Sequence, residues 1–469
     1  MTTDTPEILK RKKALSVSPL KASAPMGAAL AFLGINRSMP MLHGSQGCTA
    51  FAKVFFVRHF REPIPLQTSA MDQVSTVMSA DPNVIEGLLA ICNKQKPDMI
   101  GVPTTGLSET QGVDINRLVK DFRTEHPEFN HIAVVPVNTP DFTGCLESGY
   151  ALAVKAMIEW LVPEDTSRVG RRPRQLNILA GSLLTPGDIE HLKELCEAFR
   201  LDPVVLPDLG DSLDGHLTDE DFTPFTLGGT PVSAFQSLGD AAATLVVGRS
   251  LNPAADLLRT RTGVPDYRFD SLMGLAENDR LIGLLTKISG RPVPAKFERQ
   301  RAQLQDALVD CHFMTGLSRI AVAADPDLLY ALSTLVASLG GEVVAAVAPA
   351  RGPVLDAVPA GQVQIGDLED LEHLASTAHA ELLIGNSHAV ESAQRLGVPM
   401  LRAGFPQYDL IGGYQKTWIG YRGTRQIVFD LANLLLQRTE HEIRPYVSIH
   451  ASAQRRAAAA RAAASHAHH

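Results

Sequence analysis

The sequence predicts an α/β protein of three Rossmann-like domains, in which parallel sheets are covered by helices. Three observations carry this expectation. Short β-branched runs ("DMIGVPT", "HIAVVPVN", "RQLNILAG", "DPVVLPD", "ATLVVG", "RIAVAAD", "EVVAAVA", "ELLIGNS", "PMLRAGF") alternate with longer amphipathic segments, the rhythm of βαβ units. One unit is complete: after "RIAVAAD" the residues Leu328, Leu332, Leu335 and Leu339 recur at helical spacing, and Gly340 and Gly341 stop the helix before the next strand. Finally, 469 residues exceed what one hydrophobic core supports, since cores stop growing at roughly 250–300 residues.

The elements follow in order. The N-terminus has a basic start and a later apolar run, but Pro19, Lys21 and Pro25 interrupt that run, so it does not read as a signal peptide. The apolar stretches are also shorter than the roughly 20 residues that span a bilayer, which makes a cytoplasmic protein with no membrane partner the expectation. A polar, basic, proline-containing stretch from Val162 to Gln175 precedes a fresh strand, and the basic helix ending near Met314 precedes another. The expected domains are therefore 1–173, carrying the Cys48 loop, then 174–314 and 315–450, followed by a flexible tail over 451–469. That Ala/Arg/His-rich tail has nothing to bury, and His466, His468 and His469 read as a solvated cluster with at most adventitious metal affinity.

Composition excludes several functions. Apolar residues make up 45% and charged residues 20%, as in ordinary globular proteins, and the net charge of −8 disfavours a nucleic-acid binder, which needs a basic surface. No G-x-G-x-x-G follows a strand, and P-loop, G-x-S-x-G and H-E-x-x-H motifs are absent. Asp208, Asp211 and Asp214 do not have the spacing of an EF-hand calcium loop, and a solvated turn is expected there.

Five cysteines without clustered spacing argue against a disulfide framework. Cys92, Cys196 and Cys311 lie on apolar stripes and read as buried thiols. Cys145 lies where a strand's C-terminal loop enters a helix, the place where open α/β sheets put ligands, although packing is the expected role. Cys48 stands apart in "MLHGSQGCTAFAKVFF", between glycines and a helical apolar face of Phe51, Val54 and Phe55. A helix N-terminus favours the thiolate form of a cysteine, the form that binds iron, while a packing cysteine at a tight turn is the competing reading. Iron–sulfur clusters commonly take four cysteines, so a cluster on Cys48 needs ligands from another chain.

From "SMPMLHGSQGCTAFAKVFFVRHFREPIPLQTSAMDQ" onward the chain resembles β-type chains of the nitrogenase component 1 family. The likeness continues through "TTGLSETQGVDI", "VNTPDFTGCLESGY", "LLIGNSH" and "LRAGFPQYDLIGGYQKTWIGYRG". In the family's catalytic β chain three cysteines hold part of an eight-iron cluster, and the resemblance places their counterparts at Cys48, Leu66 and Gly106. With one thiol left, it implies a cofactor-assembly scaffold rather than a complete enzyme, with no catalytic residue assigned. Cys48 would bind a 4Fe-4S cluster shared with a NifE-type α subunit, in a heterotetramer of two of each chain. A transient precursor of the iron–molybdenum cofactor, derived from NifB, would be matured there with molybdenum and homocitrate while the nitrogenase Fe protein supplies electrons. Two other readings stay open: a catalytic β-type subunit of nitrogenase or of dark-type protochlorophyllide reductase, and a metal-free doubly wound binding protein or glycosyltransferase. Within the motifs, Lys53, Arg58, His59 and Arg61 form a basic segment facing either solvent or a partner. Arg402, Gly404, Pro406 and Asp409 read as an interdomain packing loop, and His388 as a structural histidine.

Overall fold

A computed structural model describes residues 5–10, 16–77, 79–217 and 223–438. The tail at 451–469, with its three histidines, lies outside the described residues, as do positions 439–450 of the third expected domain.

Among the described residues, fourteen strands form three sheets, parallel throughout. In chain order they are β1 (Glu7–Leu9), β2 (Ser38–Leu42), β3 (Gln67–Thr68), β4 (Met99–Pro103), β5 (Ala133–Val137), β6 (Arg172–Ala180), β7 (Asp202–Leu206), β8 (Ala241–Val247), β9 (Asp266–Phe269), β10 (Arg319–Ala323), β11 (Glu342–Ala348), β12 (Gln362–Ile365), β13 (Leu382–Gly385) and β14 (Met400–Arg402). The sheet orders are β3-β2-β4-β5, β7-β6-β8-β9 and β1-β12-β11-β10-β13-β14. Strands β2, β4 and β5 are buried at every position, because helices cover both faces of a parallel sheet and no alternation of polar residues is needed.

From β12 to β14 the third sheet runs in the 3-2-1-4-5 order of a doubly wound fold, so its switch point lies between β10 and β13. The N-terminal strand β1 does not join the sheet nearest it in sequence. It pairs Ile8 with Val363, at the edge of the third sheet. One continuous core, running from Met26 through Leu176 and Ile320 to Leu435, links all three sheets. No helix among the described residues is long and apolar enough to cross a membrane.

Two contacts fix the N-terminal unit, one inside it and one to the third-sheet loops. The Ala24–Leu33 helix is buried at all ten positions and crosses the Leu146–Leu161 helix at reciprocal glycines. A Cβ at Gly27 would overlap the Leu146 carbonyl oxygen, and one at Gly149 would overlap the Ala24 carbonyl oxygen, so only glycine permits this approach. The second contact joins the Gln46–Phe60 helix to the loop after β14. There the Gln407 N–H donates to His59 Nδ1 at 2.9 Å, and the His59 ring packs against Phe60, Phe405 and Tyr414. Arg61 donates to the Tyr408 carbonyl and Arg58 lies over the Tyr408 ring. Arg402 is paired with Asp409, which also accepts from Ser387.

His59 is therefore no part of a solvated basic segment. Burial pushes its pKa down from 6.5 to about 3, so the folded chain holds a neutral ring whose Nδ1 can accept. The acidic turn at 208–214 is a further correction. Asp208 is partly buried and paired with Lys193 at 3.0 Å, while Asp211, whose carboxylate accepts the Gly229 N–H, stays exposed. The turn is therefore drawn into the fold at Asp208 and remains solvated at Asp211.

Gly27→Ala and Gly149→Ala should each cost about 1–3 kcal/mol of stability through overpacking, or prevent folding, as read by chemical denaturation. The unfolded chain takes up a proton on His59 near pH 6.5, whereas the folded chain resists until about 3. Stability from this group is thus complete above pH 6.5 and declines as pH falls towards about 3. His59→Gln, which keeps an acceptor for Gln407, should show a shallower loss of thermal midpoint over that range than the wild type.

Candidate functional site

The loops after β2, β3, β4 and β5 meet at the C-terminal edge of the first sheet, where parallel sheets present their binding groups. The loop after β2 is His43-Gly44-Ser45, and it is gripped from both sides. On the β4 side the His43 carbonyl accepts from the Thr105 N–H (3.2 Å), the Thr105 hydroxyl (2.9 Å) and the Ser108 hydroxyl (2.9 Å). On the β3 side the Gly44 N–H donates to Ser69 Oγ (3.2 Å), while its carbonyl accepts from the Met71 N–H and the Thr68 hydroxyl. A Cβ at Gly44 would sit 2.5 Å from Thr105 Oγ1, which explains the glycine. The His43 ring is buried with Nδ1 2.8 Å from Ser69 Oγ, and burial lowers its pKa to about 4.

This fixed loop launches the Gln46–Phe60 helix with Ser45 as N-cap and Cys48 in its first turn. A capping serine ordinarily accepts a first-turn N–H; the Ser45 hydroxyl instead donates to Cys48 Sγ at 3.4 Å. The sulfur is exposed, at the positive end of the helix dipole. The other four cysteines are buried, and burial pushes the thiols of Cys92, Cys145, Cys196 and Cys311 upward, Cys92 to about 11 and Cys196 to about 12. Cys145 is the N-cap of the Leu146–Leu161 helix and hydrogen-bonds to Asp325, a packed role.

The face around Cys48 is apolar and open. Phe51 (71%) and Val54 (51%) of the same helix are exposed instead of turning into the core, while Phe55 is partly covered by the His388 ring. Val74 and Val77 on the short Gln73–Val77 helix, and Phe142 on the loop after β5, are exposed as well. These loops are tied to the same edge: Gln111 reaches the Ser75 carbonyl, and the Asp141 carboxylate accepts the Gly106 N–H at 3.1 Å. His388 is half-buried and bonded to the Pro19 backbone, with Nδ1 unpartnered among the described residues.

Gly106 lies at this edge, in the first turn of the Gly106–Gln111 helix, with room for a side chain in ordinary contact with Asp141. Leu66 does not. It precedes β3 and belongs to the main core, with only 5% of its surface exposed. The segment before the Ala24–Leu33 helix approaches instead, with Lys21 donating to the Asp141 carbonyl at 2.9 Å. Sequence patterning could not show this, because the approach depends on the glycine crossing of two helices distant in the chain.

An iron–sulfur cluster at Cys48 fits the donor set only in part. One exposed thiol, a hydroxyl donor and uncapped helix amides suit a sulfide-rich anion. Among the described residues, no group of three or more His, Cys, Asp or Glu side chains is arranged to hold a metal ion, so remaining ligands must come from outside this face.

Elsewhere, the switch point of the third sheet meets the end of β6 and the start of the Leu146–Leu161 helix at a cavity of about 20 Å3. It is lined by Glu147, Ser182, Asp325 and Asn386 among others. That volume takes roughly one water and no cofactor.

Residues 23–436 match the model of a family described as "Nitrogenase component 1 type Oxidoreductase". The chain is 44% identical over 92% of its length to the nitrogenase iron-molybdenum cofactor biosynthesis protein NifN of Bradyrhizobium diazoefficiens, covering 92% of that protein. It is 45% identical over 93% of its length to the protein of the same name from Klebsiella pneumoniae, covering 94% of it. A solved structure titled "Nitrogenase Cp1 at pH 6.5" superposes with a TM-score of 0.85 at 28% identity, over 94% of this chain and 98% of that one. Fold, motifs and similarity over nearly the whole length agree: the chain belongs to the nitrogenase component 1 family.

Proposed function

We propose that this chain is a subunit of the scaffold on which the iron–molybdenum cofactor of nitrogenase is matured. In this reading Cys48 supplies one thiolate to a 4Fe-4S cluster shared with a NifE-type α chain. The observation that carries it is the single exposed thiol of five, set on an open apolar face at the edge of the first sheet. Exposed clusters of large apolar side chains mark protein interfaces, and a cluster needing more thiolates than one chain offers belongs at one. The names of the similar proteins support the role in cofactor biosynthesis.

The chain's own residues have definable tasks. The three donors on the His43 carbonyl fix the height of the loop, so Cys48 is preset before a partner arrives. Ser45 donates to the sulfur, and the first-turn amides face the same side, which stabilises negative charge on bound sulfur. A bound 4Fe-4S cluster would supply one-electron transfer. The iron–sulfur precursor, molybdenum and homocitrate are cargo of the complex, received from NifB-derived carriers and matured with the Fe protein; no residue here is assigned to them.

Alkylation of the native chain should modify Cys48 alone, and all five cysteines after denaturation, as counted by peptide mass spectrometry. Cys48→Ala, produced together with the α-type partner, should lose the cluster's absorption and about four irons per pair of chains. Unchanged iron content and spectrum in that variant would overturn the ligand assignment. Eight-iron signatures or dinitrogen reduction by the wild-type complex would point instead to a catalytic β chain.

A further inference from the structure

The junction of the three sheets holds a group of acids that the proposed function does not use. Glu147, in the first turn of the Leu146–Leu161 helix, is 3% exposed. Its Oε2 accepts the Asp327 N–H at 2.7 Å, across to the helix that follows β10. Asp327 is fully buried, and its Oδ2 accepts the Ser250 N–H at 3.0 Å, across to the turn that follows β8. The Ser250 hydroxyl and the Arg249 amide add to that grip. Two carboxyl groups thus tie together the units of the first, second and third sheets. Asp327 Oδ1 is buried with no partner among the described residues.

Acids outnumber cations around the pair. From the third-sheet unit Asp325 faces it, bonded to the Cys145 thiol at the head of the Glu147 helix. From the second-sheet unit come Asp270 and its partner Arg249, whose cation also acts on Asp327. Lys21 is the cation acting on Asp325, and it donates to the Asp141 carbonyl. The Ala24–Leu33 helix packed against the Glu147 helix carries no titratable side chain. The charged residues of the Asn252–Thr262 helix, also packed there, pair elsewhere: Asp256 with Arg268, Arg259 with Asp266, and Arg261 with Glu164. Asp240, from the 232–240 segment, pairs with Arg168.

We propose that a proton held by the Glu147–Asp327 pair latches the three units together, and that losing it loosens their junction. Arg249 acts on Asp327, but no ion pair among the described residues includes Glu147, and a bare carboxylate is costly in a dry interior, so Glu147 keeps the proton of the pair. Burial, then the charges of Asp327 and Asp325, raise the Glu147 carboxyl well above its ordinary value, and burial raises Asp327 as well. When the junction opens, water restores the ordinary acidity, and Glu147 gives its proton to solvent. Stability of the closed junction is therefore whole below the ordinary value of 4.5 and declines as pH rises towards the raised one. The direction is opposite to that of His59, which makes the two separable.

The test is hydrogen exchange of the full chain between pH 5 and 9, read at amides 146–150 and 328–331 and corrected for intrinsic exchange rates. In the wild type the opening constant of this junction should rise by about tenfold per pH unit while the proton is being lost. Glu147→Gln keeps an acceptor oxygen for the Asp327 N–H and should remove the slope, whereas Asp327→Asn, which takes away one neighbouring charge but leaves the burial, should move it to lower pH. A flat wild-type profile would overturn the proposal even if neither variant folds. So would a slope unchanged in Glu147→Gln. These readouts need no bound cluster, so they stand apart from the Cys48 assignment.

Discussion

The close crossing of the Ala24–Leu33 and Leu146–Leu161 helices is the contact on which the rest depends. Gly27 and Gly149 each meet a carbonyl of the opposite helix, so the backbones approach to a distance that no side chain allows. Close approach does more than fill space. It sets the first residues of one helix, Cys145 to Glu147, at the junction of three sheets, and it brings Lys21 from just before the other helix over the Asp141 loop. The edge that carries Cys48 and the acid pair that ties the sheets are therefore positioned by one packing event.

Around this crossing, polar groups act as rivets between units built mainly of apolar strands. A buried carbonyl or imidazole costs free energy unless it is paired, so each pairing fixes a geometry and not just a proximity. The His43 carbonyl with its three donors, the His59 ring with the Gln407 amide, and Glu147 with the Asp327 amide are such points. Asp188 adds another by accepting the amides of Trp418 and Ile419, with burial raising its carboxyl to about 6. The long motifs "RHFREP" and "AGFPQYDLIGGY" become intelligible as the two halves of one aromatic contact, in which His59, Phe405, Tyr408 and Tyr414 interlock.

The family also explains why a chain with few catalytic motifs can have such constrained loops. The loops at the C-terminal ends of β2, β4 and β5 are fixed by buried backbone and hydroxyl groups, and the surface they present is apolar. Such a surface holds a shape for another molecule to complete. By contrast the crevice at the switch point of the third sheet, where doubly wound proteins usually bind ligands, is closed by Leu20, Leu146, Leu183 and Leu328 down to a water-sized cavity.

Much of this was legible in the sequence. The β-branched runs located nine strands because both faces of a parallel sheet are buried and composition alone marks them. The apolar spacing of Cys92, Cys196 and Cys311 marked them as core, and the glycines before Cys48 marked a loop entering a helix. Strands β1, β3, β9 and β12 were not legible, since they are short or half-polar and exist through pairing with distant partners, as Ile8 does with Val363, and β2 was missed because "SMPML" holds a proline and no β-branched residue. The place of position 66 in the core, the neutrality of His59 and the meeting of Glu147 with Asp327 belong to tertiary structure alone. The sequence by itself determined periodicity, turn chemistry and the supply of one loop thiol, because these are local. Only the folded chain decided which acids are dry, which apolar residues remain exposed and what faces Cys48, because burial is a property of neighbours that the chain brings together from far apart.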